Sequence, residues 1–105
     1  MDKRAHFIGL LGRGMIGLAQ MFRWAGWDVT GSDSSSSRPW EKQTVEKLVA
    51  QGIRIFPQDC SFAKEGLPEL IVYSTAIKPD HPEMLVAVKK MHRSEAIAYA
   101  AETLL

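Results

Sequence analysis

Apolar residues follow two spacings along the chain, and the two spacings alternate. The run His6–Leu10 lacks a regular polar alternation, which is typical of a central parallel strand covered on both faces. From Met15 to Ala25 the apolar positions recur every three or four residues, which predicts one helix that stops at Gly26. We expect Trp24 and Trp27, which flank this glycine, to cover the edge of the core. The apolar stripe of the helix consists of Met15, Leu18, Ala19, Phe22 and Ala25.

The same alternation continues through the middle of the chain. A second strand is predicted over Trp27–Thr30, and it leads into the tripeptide Gly31-Ser32-Asp33. Pro39 is well placed near the first turn of a helix that runs to about Gln51, where Gly52 ends it. The residues of that helix predicted to face inward are Val45, Leu48 and Val49.

The last third of the chain predicts two more strands and two more helices. A third strand covers Ile53–Phe56, residues 57–68 form a loop or a broken helical turn, and a fourth strand covers Leu70–Ser74. A third helix begins near His81-Pro82, and a final helix covers Glu95–Leu105 with Ser94 as its cap. The apolar side of the third helix consists of Met84, Leu85 and Val88.

Strands that alternate with helices predict an α/β fold. Because crossovers between parallel strands are right-handed and must cover the sheet, we expect a Rossmann-like parallel sheet with helices on both faces. Four strands are evident from the pattern, in the predicted order 3-2-1-4, and the ligand is expected at their carboxyl ends. Residues 1–105 suit a single domain with one modest core.

Composition excludes several classes of partner. The chain is 46% hydrophobic and 24% charged, with a net charge of +1, so it has no basic surface typical of nucleic-acid or membrane binding. The single cysteine, Cys60, cannot form an internal disulfide, and no Cys and His cluster has metal-site spacing. The chain starts without an apolar signal segment, so we expect a reducing, cytoplasmic setting.

The glycine-rich stretch between the first strand and the first helix indicates an anion site. Backbone N–H groups at a helix start lack intrahelical partners and lie at the positive end of the peptide dipoles, so a pyrophosphate can bind there. Asp33 follows about 20 residues later, where a carboxylate can meet a ribose hydroxyl. In the alternative interpretation, Gly9, Gly12 and Gly14 only make a tight turn, and Asp33 only completes the next one.

The amino-acid sequence of this stretch disfavours an ordinary dinucleotide site. A G-x-G-x-x-G fingerprint that begins at Gly9 requires glycine at position 11, and this chain has Leu11. The second glycine of the fingerprint lets the backbone approach a pyrophosphate, and a leucine side chain obstructs that approach. NAD binding is therefore the weaker hypothesis.

Five short motifs in order give the chain a family resemblance. They are His6-Phe7-Ile8-Gly9, Gly12-x-Gly14-Met15, Gly31-Ser32-Asp33, Val72-Tyr73-Ser74-Thr75-Ala76-Ile77 and His92-Arg93-Ser94-Glu95. Together they resemble the N-terminal domain of the Mur ligases of peptidoglycan synthesis, most of all those that join L-alanine to UDP-N-acetylmuramate. The resemblance covers almost the whole chain and implies a domain that binds a UDP-sugar.

The resemblance also implies the residues that contact the ligand. The backbone amides of Gly12, Arg13 and Gly14, which precede Met15, would face the UDP pyrophosphate, with the Arg13 guanidinium as a further clamp or as a solvated surface charge. Asp33 would reach the ribose or the uracil. The remaining predicted contacts are Met15 and Ser32.

The other wall of the predicted cleft comes from the fourth strand. Ser74, Thr75 and Ala76 follow its carboxyl end, although Thr75 is also interpretable as an ordinary β-branched strand residue. The serines 34–37 form a flexible loop or offer hydroxyls to a ligand on Asp33. His6, His81 and His92 share no motif, so we expect structural or exposed positions for them.

Two departures from the family pattern are visible. The family usually has Gly-His after the third strand, where this chain has Gln58-Asp59. The family also has a G-I-P-V-like fifth strand before the Arg-x-Glu motif, whereas here Met91 runs directly into His92. The sheet is therefore expected to be one strand short, or a segment is missing.

Catalysis is not expected from these residues alone. The family's ATP and magnesium bind a G-x-x-G-K-[ST] loop in a central domain, and no such loop occurs in residues 1–105. The resemblance thus implies a substrate-binding domain that needs the central ATP-binding and C-terminal domains of a parent ligase. Two alternatives stay open: an NAD(P)-binding domain of an oxidoreductase, and a nucleotide-sensing binding module.

Overall fold

The computed structural model describes residues 3–104, which form a five-stranded parallel sheet with three α-helices. The strand order β3-β2-β1-β4-β5 confirms the predicted 3-2-1-4 order and adds a fifth strand at one edge. None of the described helices is long and apolar enough to cross a membrane. The elements are β1 (Arg4–Ile8), α1 (Met15–Trp24), β2 (Asp28–Ser32), α2 (Lys42–Ala50), β3 (Arg54–Phe56), β4 (Leu70–Tyr73), β5 (Lys89–His92) and α3 (Arg93–Thr103).

One face of the sheet, here called the helical face, carries the larger apolar core. Alternate residues of β1 point to opposite faces, so Ala5 and Phe7 join this core. Leu48 of α2 packs in the same cluster as residues of α1 and α3, which places all three helices on this face. Its fully buried residues are Phe7, Leu10, Met15, Ala19, Phe22, Val29, Ile53, Val72, Ala96 and Ala100.

The opposite face, here called the polar face, is covered by the 3₁₀ helices Ser61–Glu65 and Pro82–Leu85 and by connecting coil. Its apolar cluster is small and is built on Ile8, Phe62 and Ile71. Helical elements thus lie on both faces, as predicted, but only short ones on this side. Buried polar side chains lie between these short elements and the sheet.

The predicted first helix is confirmed, and four residues of its apolar stripe are buried: Met15, Leu18, Ala19 and Phe22. The fifth, Ala25, follows the end of the helix and is exposed. Phe22 makes edge-on contact with Trp27 at a ring-centre distance of 5.0 Å, which closes the edge of the core as expected for Trp27. The same expectation is wrong for Trp24, which is 72% exposed. Two helical residues beyond Phe22 is a rotation of about 200°, so Trp24 points away from the stripe.

The second helix begins later than predicted and buries less. A 3₁₀ turn occupies Pro39–Glu41, and α2 follows at Lys42. Leu48 is 1% exposed, as predicted, whereas Val49 is 54% exposed and does not face inward. Among the residues of α2, Leu48 alone is buried, and Val45 is half-buried.

The predicted third helix is wrong. Only one 3₁₀ turn forms at Pro82–Leu85, and Leu85 is 71% exposed. The chain is extended at Val86 and continues into the fifth strand, which pairs with β4 from Leu70↔Lys89 to Tyr73↔His92. No strand is missing, because the polar sequence Lys89–His92 itself supplies it.

The last helix starts two residues earlier than predicted. His92, not Ser94, is its N-cap: the Nδ1 atom of His92 accepts from the Ser94 amide at 3.1 Å, and Glu95 completes a capping box. A histidine with a bare ring nitrogen provides the same acceptor that a serine hydroxyl provides. Leu105, the predicted end of this helix, lies outside the described residues.

Candidate functional site

A cleft of about 610 Å³ opens at the carboxyl ends of β1, β2 and β4. This is the edge of a parallel sheet where ligands bind in folds of this architecture. Its lining is mixed in chemistry, with glycine backbone, carboxylates, hydroxyls and one lysine. The lining residues are Gly9, Gly12, Asp33, Ser34, Gln58, Ser74, Ala76, Ile77, Lys78, Asp80, His81 and Pro82.

Four of the predicted contact residues line this cleft, and five do not. Gly12, Asp33, Ser74 and Ala76 come together there from three separate loops. Predicted contact residues thus occur on three walls of the cleft, whereas Gln58 and the stretch from Ile77 to Pro82 were not predicted as contacts. The predicted residues that do not line the cleft are Arg13, Gly14, Met15, Ser32 and Thr75.

The glycine-rich turn uses most of its own amides internally. The amides of Gly9 and Leu10 both donate to the Ser32 carbonyl, at 2.8 and 3.0 Å, and the Gly12 amide donates to the Gly9 carbonyl at 2.9 Å. Within residues 3–104, the amides of Arg13 and Gly14 make no hydrogen bond to the backbone or a side chain. Of the three amides predicted to face an anion, these two are the ones available.

Gly14 is the N-cap of α1 and lies in the left-handed region, at a φ of 78°. A Cβ on this residue would lie 3.2 Å from Nη1 of Arg93, so the position has little room and an unfavourable dihedral angle for any other residue. The same Nη1 donates to the Arg13 carbonyl at 2.6 Å. Arg93 therefore holds the turn in place, while Met15 is fully buried in the helical-face core.

Asp33 already has protein partners on both carboxylate oxygens. Its Oδ2 accepts from the Leu11 amide at 2.9 Å, and its Oδ1 accepts from the Ser35 amide and hydroxyl at 2.8 and 2.6 Å. The turn role considered from the sequence is thus real. Each oxygen has two lone pairs, so Oδ2 can accept one more hydrogen bond from a ligand in the cleft.

The turn after β4 supplies the opposite wall. The Ile77 amide donates to the Ser74 carbonyl at 3.0 Å, which reverses the chain and brings Ile77 against Gly9. Thr75 is exposed, and its hydroxyl lies 2.9 Å from Nε2 of His92. Thr75 therefore connects this turn to the start of α3 and does not line the cleft.

A buried polar network under the cleft was not predicted from the sequence. Glu83 is fully buried, and its Oε1 accepts from Nε2 of His6 at 3.0 Å and from the Ser32 hydroxyl at 2.5 Å. Its Oε2 accepts from the Cys60 amide at 3.1 Å. This explains why Ser32, fully buried itself, does not reach the cleft.

The charges in this network follow from its burial. Burial lowers the pKa of His6 more than Glu83 raises it, so the imidazole is neutral. Burial raises the pKa of Glu83, but its contacts with His6, Ser32 and the Cys60 amide together leave that pKa below its ordinary value. The contact is thus a hydrogen bond from a neutral imidazole to a carboxylate, with Nδ1 of His6 accepting from the Thr30 hydroxyl at 2.7 Å.

The sequence contains one signal of this network. His6 begins the apolar run of the first strand, and a histidine that is buried between apolar neighbours needs polar partners. It stacks on Phe62 at a ring-centre distance of 3.6 Å. The partner Glu83 lies 77 residues away in a polar-looking turn, so no local pattern connects the two.

Curated proteins similar to this chain are amino-acid ligases. The UDP-N-acetylmuramate–L-alanine ligase of Gloeobacter violaceus is 40% identical over 102 residues, which cover 93% of this chain and 21% of that protein. The ligase of the same description from Chromobacterium violaceum is 38% identical over 88 residues, which cover 84% of this chain and 18% of that protein. The chain spans about a fifth of the length of these two relatives.

Comparison of structures shows the same fold in a third ligase. The UDP-N-acetylmuramate:L-alanyl-γ-D-glutamyl-meso-diaminopimelate ligase of Neisseria meningitides superposes with a TM-score of 0.75 and 23% identity, covering 100% of this chain and 32% of that one. A family model described as "Mur ligase family, catalytic domain" matches residues 4–103. This chain therefore belongs to the Mur ligase family, as an N-terminal, Rossmann-like domain.

Proposed function

We propose that the cleft binds UDP-N-acetylmuramate or a closely related UDP-sugar. The observation that carries this proposal is the convergence of Gly12, Asp33 and the Ser74–Ala76 turn on one cleft of about 610 Å³ at the carboxyl edge of the sheet. That volume lies in the range of about 300 to 1,000 Å³ typical of ligand sites. The relatives named above act on UDP-N-acetylmuramate by their names, which supports the choice of ligand.

The pyrophosphate would bind at the start of α1. The amides of Arg13 and Gly14 have no partner within the described residues, and an anion at a helix start satisfies such donors. The Arg13 side chain is exposed beside them and supplies a positive charge. Met15 fixes the first turn of the helix from below, and Ser32 fixes the end of β2 through its bond to Glu83.

The nucleoside would lie across the ends of β1 and β2. The remaining lone pair on Asp33 Oδ2 faces a ligand hydroxyl or a uracil N–H in this arrangement. Ser74 and Ala76 close the opposite wall, with Thr75 anchoring their turn to His92. Lys78, also in the lining, adds a second cation for the diphosphate.

Neither alternative function is favoured. An NAD(P)-binding domain and a nucleotide-sensing module both fit a bare Rossmann-like sheet, but the family to which the chain belongs consists of ligases. Leu11 packs its side chain against the helical-face core, and its amide is bound to Asp33. Position 11, where the dinucleotide fingerprint has glycine, thus carries a side chain that is packed against the core.

The chemistry of a parent ligase would take place outside these residues. Residues 1–105 contain no phosphate loop for ATP and magnesium, so we assign both cofactors to other domains of a cytoplasmic ligase of peptidoglycan synthesis. This domain would hold the UDP-sugar while its carboxylate is activated and joined to an amino acid. On its own it is expected to be inactive.

Calorimetric titration of the 105-residue chain tests the ligand. UDP-N-acetylmuramate should bind more tightly than NAD, and UDP alone should compete with it. The affinity should be modest, because contacts from the other domains are absent. NAD that binds equally or more tightly would overturn the proposal.

A second assay tests the assignment of the chemistry. The purified chain, mixed with ATP, magnesium, L-alanine and UDP-N-acetylmuramate, should release no phosphate above a protein-free blank. Turnover that follows the protein through two different purification steps would place catalytic residues in this domain and contradict the assignment.

A further inference from the structure

Three of the stretches that line the cleft are attached to the buried residue Glu83. They contain Asp33, Gln58 and His81. Its own turn, Pro82–Leu85, follows the cleft residues Asp80 and His81 directly. The Ser32 hydroxyl that it accepts from belongs to the residue just before Asp33. The Glu83 side chain therefore connects two stretches of the cleft lining that are far apart in the sequence, since Ser32 and Glu83 are separated by 51 residues.

A third stretch is attached through Oε2. The Cys60 amide donates to this oxygen at 3.1 Å, and Cys60 lies two residues after Gln58, which lines the cleft. Among the described residues other than glycine, Cys60 is the one with a positive φ, at 67°. A strained dihedral angle of this kind persists where surrounding contacts hold it, and Glu83 supplies such a contact.

The network is fixed at its far end as well. His6 donates to Glu83, accepts from Thr30 and stacks on Phe62, and all three contacts are buried. The His81 ring is oriented by the same turn, because its Nδ1 accepts from the Glu83 amide at 3.1 Å. A fully satisfied buried network allows one arrangement of the groups that it joins.

Stability alone is a weak reason for such a group. A buried charge loses its hydration, and an apolar side chain of similar size often stabilises a fold as well or better. We propose that Glu83 is a positioning residue, which holds the Asp33, Gln58 and His81 walls at a fixed separation and so preorganises the cleft for its ligand. The identity of that ligand rests on the function proposed above.

Two variants of Glu83 separate geometry from charge. In Glu83→Ala all three donors lose their acceptor, so the affinity for UDP-N-acetylmuramate should fall by about tenfold or more at a temperature where the variant is fully folded. In Glu83→Gln the side-chain amide can accept from Cys60 and donate to Ser32 and His6, if His6 moves its proton to Nδ1. Affinity should then stay within about threefold of wild type, with the tautomer change visible in the ¹⁵N spectrum of the imidazole.

Thr30→Val is the matched control. It removes a buried hydrogen bond from the same network, but it lies on the strand away from the cleft walls. It should lower the melting temperature and leave the affinity unchanged. If Thr30→Val and Glu83→Ala weaken binding alike, or if Glu83→Ala binds as well as wild type, Glu83 has only a structural role and the proposal fails.

Amide hydrogen exchange gives a readout that needs no ligand. Exchange should accelerate about tenfold or more in Glu83→Ala at the amides of Cys60 and His81, which donate to Glu83 and to the Lys78 carbonyl. It should change little in Thr30→Val or Glu83→Gln. Unchanged exchange in Glu83→Ala overturns the positioning role whatever the ligand is. Accelerated exchange in Glu83→Ala, together with a wild-type chain that binds no UDP-sugar, would instead leave the positioning role standing and overturn the proposed function. If exchange accelerates as much in Glu83→Gln as in Glu83→Ala, the charge of Glu83, and not the geometry of its hydrogen bonds, determines the shape of the cleft.

Discussion

The two faces of the sheet differ in what fills them. The helical face is filled by aromatic and aliphatic side chains under three α-helices, with Phe7, Phe22 and Trp27 in edge-on contact. The polar face is covered by short turns, and its centre is a hydrogen-bonded set of His6, Glu83 and Ser32. The first face depends on apolar area removed from water, and the second depends on partners for buried polar groups.

This difference separates stability from shape. An apolar core tolerates changes that keep volume and pattern, whereas a buried hydrogen-bond network allows few arrangements. The cleft lining contains Gln58, His81 and Pro82, from the segments that cover the polar face. It also contains the glycine turn and residues 33–34, which lead into the helices of the helical face. We therefore expect substitutions on the helical face to change the free energy of unfolding, and those around the cleft to change affinity.

The largest effect is expected from Phe22→Ala on the helical face. Phe22 is fully buried between Phe7, Trp27 and Tyr99, and its loss should lower the free energy of unfolding by about 3 to 5 kcal/mol. Urea unfolding measures the change, and Phe22→Leu is a milder companion if the alanine variant does not fold. The folded Leu variant should keep wild-type affinity for UDP-N-acetylmuramate. A loss of affinity in the folded Leu variant would show that the helical face also determines ligand binding.

Gly31→Ala should have the next largest effect, where β2 meets the glycine turn. A Cβ there would lie 2.5 Å from Cδ2 of Leu10, so overpacking should lower the free energy of unfolding by about 1 to 3 kcal/mol. Gly17→Ala is the matched control, because nothing lies within 4 Å of its Cβ position on α1. That control should stabilise the protein by about 0.5 to 1 kcal/mol. Equal effects of the two alanines would remove the Leu10 contact from the explanation.

The polar face predicts a loss of stability in acid. His6 has a lowered pKa in the folded protein, so the unfolded chain binds the extra proton and stability falls as pH drops below the ordinary histidine pKa of about 6.5. The slope contributed by one proton is at most about 1.4 kcal/mol per pH unit. Glu83 also has a lowered pKa and adds to the loss below its ordinary range. Unfolding curves between pH 8 and 5, with the His6 ring followed by NMR, measure this. Protonation of His6 in the folded protein near pH 6.5 would contradict it.

Asp33→Ala should change affinity more than stability. The charge-assisted hydrogen bond to a ligand contributes about 1.5 to 3 kcal/mol, so UDP-N-acetylmuramate should bind about tenfold more weakly or worse. The bonds to Leu11 and Ser35 are also lost, so a small drop in melting temperature is expected. Asp59→Ala is the control, because Asp59 accepts from the Ser61 amide in the same kind of turn but does not line the cleft. Unchanged affinity in Asp33→Ala would remove this residue from the site.

The smallest effect is expected from Val49→Ala. The side chain is 54% exposed, so the free energy of unfolding should change by no more than about 0.5 kcal/mol. Its neighbour Leu48 is 1% exposed, so Leu48→Ala should lower the free energy of unfolding by about 2 to 5 kcal/mol. Comparable losses at the two positions would mean that α2 packs on the sheet as its sequence pattern suggested.

The sequence predicted the strongly patterned elements well. The strand before the glycine turn, the helix Met15–Trp24 and the order of the first four strands all follow from apolar spacing and right-handed crossovers. The elements that were wrong have weak or misleading patterns. Met84, Leu85 and Val88 have helical spacing, but the 3₁₀ turn ends at Leu85, and Val88 lies in the coil that precedes β5.

The site was predictable only where backbone features mark it. Gly12, Asp33, Ser74 and Ala76 follow strand ends, and strand ends meet at one edge of a parallel sheet. Side-chain direction was not predictable, since Ser32 turns inward to a partner 51 residues away. Long-range pairs such as His6 and Glu83 depend on tertiary contact, which local spacing does not encode.

The polarity of β5 has a consequence for assembly. Lys89–His92 forms one outer border of the sheet, and among residues 3–104 no further strand pairs with its backbone groups on that side. An uncharged border strand invites a strand from another molecule, while lysines there repel such pairing. Lys89 is exposed on this strand, and its charge, which helped to hide the strand from a hydrophobic pattern, disfavours such pairing.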